Sequence, residues 1–422
     1  VERPSYRWNQ NFQVAHDLLR QSIRITRLVP INLDISNKDL IWSDGSKSAG
    51  AIGVGSKDAF AKECFDAANL LRERIASGDD FDEIWIPYLQ LHRAQISNLV
   101  DSNDNYTNAV KHKDRLVFAC DGGTVTLEGL YSQPLIRHVS KYWFSYSGGD
   151  NPDELRNKIR SSAHQRFWMS LDFSKFDQTI QSWLIDDAFS IIKEFYHPQF
   201  YRELDWIAYQ FKHSRLVSSR GVFQKHRGIP SGSSFTQLVG SMCNALMILT
   251  YIASRAPRGC SYEERVRYVE EEIGFTSSGK RDYGRFSMFV MGDDNLLFTR
   301  RKIDASNLSK YVERVFGVKI SPEKTDQGVY PVPPKYLKRE WRYNGEYRNP
   351  IDLAINVCHP EWERHYDAYS PWHIMYGLYL TYSCAFPSYV SERYLYRKMS
   401  DYGGVQALER LEFRTLPGVL KG

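Results

Sequence analysis

An α+β fold is the class this 422-residue sequence predicts, and three observations predict it. Residues 286–298 hold two apolar runs of strand length on either side of Gly292-Asp293-Asp294, the pattern of a hairpin. Residues 167–172 read as a short buried strand, and Leu184, Ala188, Ile191 and Phe195 follow it at helical spacing. Residues 233–252 place Phe235, Leu238, Met242, Leu246 and Leu249 on one helical stripe.

The remaining elements follow in chain order. After an extended, basic lead-in, apolar residues recur at helical spacing over 58–75 and 84–99, with polar breaks near Ser77-Gly78 and over 102–105. Residues 115–136 turn to Val, Thr and Leu around Gly122-Gly123, which suggests strands, a turn and a helix. Gly228-Ile-Pro-Ser-Gly232 is a turn leading into the long apolar helix. Residues 255–285 are rich in charges of both signs and read as a surface excursion without a specific role. Residues 303–316 are helical again, and an aromatic, mostly helical region begins past Pro331.

Composition narrows the classes. With 14% aromatic and 25% charged residues the chain is globular and not a disordered tail. A formal charge of +5 is too small to imply a polyanion partner by itself, so local clusters must carry that argument. Two exist: Lys111-His-Lys113-Asp-Arg115, and Lys212, Arg215, Arg220, Lys225 and Arg227, a run uninterrupted by acids. The six cysteines are scattered, as in reduced intracellular proteins. No apolar run approaches membrane-span length, and the N-terminus has no signal pattern, so a soluble chain without a membrane partner is expected.

The chemistry is expected at the acids. Two adjacent carboxylates at a hairpin tip repel each other unless a divalent cation keeps both ionised, and oxygen donors favour magnesium, with manganese as a substitute. Asp172 and Asp177 form a second acidic pair at the end of the 167–172 strand. If Asp172 and Asp293 meet at neighbouring strand ends they can hold two ions, as phosphoryl or nucleotidyl transfer requires. Ser231, Gly232 and Thr236 give a small, hydroxylated loop suited to a sugar or phosphate; its bland alternative is an N-cap.

Two look-alikes are set aside. Gly78-Asp79-Asp80 lies between helical patterns and reads as a C-terminal glycine followed by an acidic helix start. Gly50 and Gly55 have the spacing of a phosphate-binding loop, but Ser56 stands where its lysine must be.

In this order the segments resemble the motifs of viral RNA-dependent RNA polymerases, most closely those of partitivirus-like double-stranded RNA viruses, with picobirnavirus enzymes next. Asp172-Phe-Ser-Lys-Phe-Asp177 resembles motif A, Ser231 to Thr236 motif B and Gly292-Asp-Asp294 motif C. Lys111 to Arg115 resembles motif F, the Ser48-Ala-Gly50 loop motif G, Phe316 to Lys324 motif D and Tyr336 to Arg339 motif E.

The resemblance implies a right-hand fold with an antiparallel palm sheet flanked by helices. Fingers would span 1–166 and 191–227, palm 167–190 and 228–335, and motif E with the thumb 336–422. It implies that Asp172 and Asp293 hold two magnesium ions, with Asp294 and the Phe173 carbonyl assisting, and that Lys324 is the general acid. Lys111, Lys113 and Arg115 would meet the nucleotide triphosphate, while Asp177, Ser231 and Thr236 sense the ribose, with Gly232 in the same loop. Gly240 stands where many relatives carry Asn or Asp, and Asn244 lies one helical turn further on. The implied partners are template and product RNA, ribonucleoside triphosphates and a viral capsid protein, in the virion interior or host cytoplasm. A reverse transcriptase, or an inactive RNA-binding or capsid-associated protein, is the competing reading; Gly292 argues against the first and the intact acids against the second.

Overall fold

The structure, a computed structural model, describes residues 9–45, 47–78, 84–96, 110–163, 167–218, 221–274, 285–342 and 345–348. The chain forms two compact units, Val1–Tyr88 with Val117–Tyr336, and Leu89–Leu116 with Leu337–Gly422.

The larger unit opens with α1 (Gln10–Ser22), capped by the Asn9 side chain. A short α2 (Lys38–Ile41) precedes α3 (Ala61–Ser77), which Gly78 terminates at φ +88°, a left-handed cap that favours glycine. Next in the chain come two strands, β1 (Ile84–Ile96) and β2 (Val110–Ala119). β1 overturns the helix expected over 84–99. Pro87 and the β-branched and aromatic residues around it disfavour a helix interior, and Ile84 and Trp85 pair in parallel with a later strand instead.

Gly122-Gly123 is likewise no turn: it is the first turn of α4 (Gly122–Tyr142), where the Asp121 side chain accepts from Gly123 N. α3 packs along α4. α5 (Pro152–Ser162) starts at a reciprocal cap between Asn151 and Glu154.

The catalytic-type acids enter with β3 (Phe167–Ser170), β4 (Phe173–Ser174) and a single turn, α6 (Phe176–Thr179). α7 (Ser182–Lys193) then buries the expected Leu184, Ala188 and Ile191. α8 (Tyr201–His213) leads to the hairpin of β5 (Arg215–Ser218) and β6 (Gly221–Gln224), and β5 is the strand that receives Ile84.

At the centre is α9 (Thr236–Ser254), which touches α1, α7 and the helices and strands that follow. It corrects one expectation: with 19 residues and mean hydropathy 1.3 it is long and apolar enough to cross a membrane. Yet 89% of that stretch is buried inside the fold, the situation of a core helix. The supposed surface excursion contains α10 (Tyr262–Ile273), started by a Ser261–Glu264 capping box.

β7 (Met288–Met291) and β8 (Asp294–Thr299) form the expected hairpin, and α11 (Ala305–Phe316) the expected helix. β9 (Lys319–Ile320), β10 (Asp326–Val329) and β11 (Lys335–Tyr336) complete the unit. The sheet order is β10-β3-β8-β7, antiparallel throughout. Residues 145–147 run along the outer side of β7, with a parallel bridge between Tyr146 and Val290.

In the smaller unit, β12 (Arg339–Arg342) and β13 (Gly345–Tyr347) pair antiparallel, so the region past Pro331 begins as strand and not as helix. The remainder of that predicted helical region lies outside the described residues.

Candidate active site

The ladder between β3 and β8 builds the site. Phe167, Trp168 and Met169 face Thr299, Phe298 and Leu297. The paired ladder ends at Met169 and Leu297, and beyond it β3 runs on toward the end of β8 that carries Asp294. The continuation is held by side chains: Ser170 Oγ donates to Asn295 O (2.8 Å), and Leu171 N donates to Asn295 Oδ1 (3.2 Å). Asn295 is fully buried and so rivets the residue before Asp172 to the residue after Asp294.

Met291 pairs with Asp294, leaving Gly292 and Asp293 as a two-residue turn. Gly292 has φ +65°, the positive value a tight hairpin turn needs at its first central position. α9 grips this turn from behind. Gly292 N donates to Ser241 Oγ (2.8 Å), and Asn244 Nδ2 donates to Gly292 O (2.9 Å) and Asp293 O (3.2 Å). Gly240 completes the contact: a Cβ there would stand 3.4 Å from the Gly292 Cα. The glycine that fails to match a sugar-reading residue therefore faces the turn's backbone.

Asn244 is fully buried, and its Nδ2 is directed at the carbonyls of this turn.

The other predicted residues gather around this point. Asp172 O accepts from Ser321 N (2.9 Å), and Phe173 pairs with Ile320. Lys324, exposed, ends the 3-10 turn Pro322–Lys324 that begins just after Ser321. Asp177 O accepts from Ile229 N (2.6 Å), and Gly228 N donates to Ile180 O, so the Asp172–Asp177 segment meets the Ser231 loop. Gln181 occupies the N-cap position of α7, so Asp177 is not its cap. Ser231 is exposed and Gly232 half-buried. Phe235 is the N-cap residue of α9, which rules out the bland reading of Ser231 as that cap. Thr236 Oγ1 closes the loop by donating toward Pro230 O and Ser233 O.

Lys111, Lys113 and Arg115 occupy alternate positions of β2; their side chains lie outside what the structure describes. The second basic run shrinks. Lys212 pairs with Asp186, and Lys225 donates to Phe211 O with its amine buried, which pushes its pKa down to about 7. Arg215 and Arg227 are exposed, and Arg220 lies outside the described residues.

Among the described residues no three His, Cys, Asp or Glu side chains are close enough to hold a metal ion outright. What converges is backbone. Asp172, Asp293 and Asp294 are exposed carboxylates at adjoining strand ends, and an all-oxygen donor set of this kind fits a hard divalent cation. None of the four cysteines among the described residues is in a disulfide, and three of them are buried.

One buried acid escaped sequence reasoning. Glu128 on α4 is 0% exposed and accepts Ser233 Oγ (2.9 Å) and Ser234 N (2.7 Å) at the start of α9. Its signal was an acid inside an apolar helical stripe, between Leu127 and Leu130. Burial pushes its pKa up to about 7, against the pull of its two serine partners.

The folded chain therefore holds this proton more tightly than the unfolded chain. Its contribution to stability is greatest below about pH 4.5 and falls by about 3 kcal/mol as pH rises to about 7. Unfolding free energies of wild type and Glu128→Gln between pH 5 and pH 8 should diverge accordingly, with the glutamine variant lacking this slope. Parallel curves would contradict the assignment.

Gly78 caps α3 as expected for the look-alike acidic pair. Asp79 and Asp80 lie outside the described residues. Asp79→Ala should leave any nucleotide incorporation within about two-fold of wild type, as expected for a surface change away from a site; a ten-fold loss would make that pair functional.

Comparison with known proteins bears on the family and the fold. A relative from Cryptosporidium parvum virus 1 (strain KSU-1), named RNA-directed RNA polymerase, is 29% identical over 229 residues; the match spans 51% of this chain and 38% of that protein. The crystal structure of the RNA-dependent RNA polymerase of a human picobirnavirus superposes with a TM-score of 0.64 at 12% identity, covering 93% of this chain and 69% of the other, which supports a shared fold. The family model described as viral RNA-dependent RNA polymerase matches residues 34–400. This chain belongs to the viral RNA-dependent RNA polymerase family.

Proposed function

We propose that the chain copies RNA into RNA by nucleotidyl transfer at the junction of β3, β8 and the Gly292-Asp293 turn. The observation that carries the reading is that Ser170 and Leu171, just before Asp172, are hydrogen-bonded to Asn295, just after Asp294, while Asp177 O accepts from Ile229 N of the Ser231 loop.

Asp172 and Asp293 would hold two magnesium ions, with Asp294 and the Phe173 carbonyl beside them. When bound, the ions lower the pKa of the attacking hydroxyl and offset charge on the leaving pyrophosphate. Lys324, on a turn tethered to the Asp172 carbonyl through Ser321, would give that pyrophosphate a proton. Lys111, Lys113 and Arg115 would neutralise and orient the triphosphate. Asp177 and Ser231, exposed and close along the backbone, would read the ribose 2′-hydroxyl, with Gly232 letting the backbone approach. Asn244 and Thr236 hold the turn and the loop in place.

In this reading residues 167–190 and 228–335 are the palm, 1–166 and 191–227 the fingers, and 336–422 motif E and the thumb. The wider setting is a partitivirus-like double-stranded RNA virus. There the chain replicates and transcribes the genome, in contact with capsid protein, in the virion interior or the host cytoplasm.

The test is extension of a primed RNA template by the purified chain with magnesium and either ribonucleotides or deoxyribonucleotides. Magnesium-dependent ribonucleotide incorporation is expected, and preference for deoxyribonucleotides would overturn the reading in favour of a reverse transcriptase.

A further inference from the structure

The loop that carries Ser231 is fastened by a residue no motif contains. Phe235, the N-cap residue of α9, makes no side-chain hydrogen bond to the helix, and the Ser233-Ser234 turn just ahead of it takes an acceptor from outside the loop. Glu128 supplies the acceptor from 105 residues away, across the interior, on α4. Its carboxylate takes Ser234 N at 2.7 Å and Ser233 Oγ at 2.9 Å, and Ser233 Oγ in turn accepts Phe235 N at 3.1 Å.

The rest of the loop is tied as well. Ser233 N donates to Pro230 O (3.3 Å), and Thr236 Oγ1 bridges Pro230 and Ser233 carbonyls. On the other side, Gly228 N and Ile229 N are bound to Ile180 O and Asp177 O. Fixed at both ends, the loop presents Ser231 and Gly232 between the two anchors, one exposed and one half-buried. The anchor at the Asp177 end is made of backbone groups. The anchor at the α9 end is made by side chains, of which Glu128 alone comes from outside the loop.

A fully buried carboxyl group is costly unless its oxygens are hydrogen-bonded. Those of Glu128 accept from Ser233 Oγ and Ser234 N in the turn before α9, bonds that become charge-assisted where the group ionises. We propose that Glu128 is a positioning residue: it holds the Ser231-Gly232 loop at the height from which the loop meets the nucleotide sugar. The proposal rests on the assignment of Ser231 to ribose sensing.

Two measurements on Glu128→Gln separate the proposal from the reading beneath it. Hydrogen exchange should quicken about ten-fold or more in the 228–236 segment, the loss expected for charge-assisted bonds, and stay unchanged in α11. Single-nucleotide extension on RNA should show KM for the ribonucleotide raised about ten-fold and the preference for ribose over deoxyribose lowered by a similar factor, with kcat changed by less than about three-fold. Ser233→Ala should reproduce both changes in weaker form, which covers the case of a poorly folding Glu128 variant.

Unaltered exchange in 228–236 would overturn the proposal while leaving the polymerase reading intact. Altered exchange with unchanged KM and sugar preference would reduce Glu128 to a structural residue and overturn it too. A wild type that incorporates no nucleotide, with exchange altered in the variant, would leave the fastening of the loop standing and defeat the assigned activity.

Discussion

Asp293→Asn should abolish magnesium-dependent incorporation, lowering kcat by about a thousand-fold or more. The substitution keeps the size and polarity of a side chain that is exposed at the tip of a two-residue turn, so the fold has no reason to change. What it removes is one negative charge from a pair of acids. A bound cation supplies several kcal/mol of stabilisation to developing charge, and at 1.36 kcal/mol per factor of ten that is about three orders of magnitude. Rates of single-nucleotide extension, with thermal unfolding as the control for folding, check the expectation. Equal activity in the two proteins would remove Asp293 from the site.

Asn244→Leu should cost less chemistry and more structure. The leucine has the same branching and number of heavy atoms, though its methyl groups are bulkier, and no donor, so the Gly292 and Asp293 carbonyls lose their buried partner. Unmade buried hydrogen bonds cost about 1–3 kcal/mol in stability. The larger consequence is positional. A turn freed to move by about 1 Å carries Asp293 with it, and misplacement on that scale costs about a hundred-fold in rate. The variant should therefore fold with a lowered midpoint and retain roughly one per cent of wild-type kcat, with KM nearly unchanged. Retention of full activity would mean that α9 does not position the acids.

How much of this was legible in the sequence depends on how local each interaction is. The β7–β8 hairpin was legible because its apolar flanks and the Gly292 turn are both written within thirteen residues. Helices α7, α9 and α11 were legible from periodicity, although the start of α9 was misplaced by three residues. That error has a cause: residues 233–235 form a turn held by Glu128 from α4, and the helix begins only after it.

The strand β1 was misread as a helix because a long apolar run satisfies both periods, and only its pairing with β5 decides between them. The basic run over 212–227 was legible as charge, yet Lys212 and Lys225 are spent on Asp186 and on the Phe211 carbonyl. Residues that hold the site together, Asn295, Ser241 and Asn244 among them, act across 48 to 125 residues of chain. Such contacts leave no spacing to read. Gly240 is the clearest case: as a sequence feature it is a missing side chain, and in the fold it is the surface on which the Gly292 turn lies.

The central claim is that the ends of β3 and of the β7–β8 hairpin form one cation site. The most direct measurement is a manganese titration, followed by electron paramagnetic resonance, in the presence of a non-hydrolysable ribonucleoside triphosphate, comparing wild type with Asp172→Asn. The account predicts two bound ions per chain in the wild type, and a loss of at least one in a variant whose altered residue is 121 positions away from the turn in sequence (293 − 172) but follows the strand paired with β8. Unchanged binding of two ions by Asp172→Asn would contradict it.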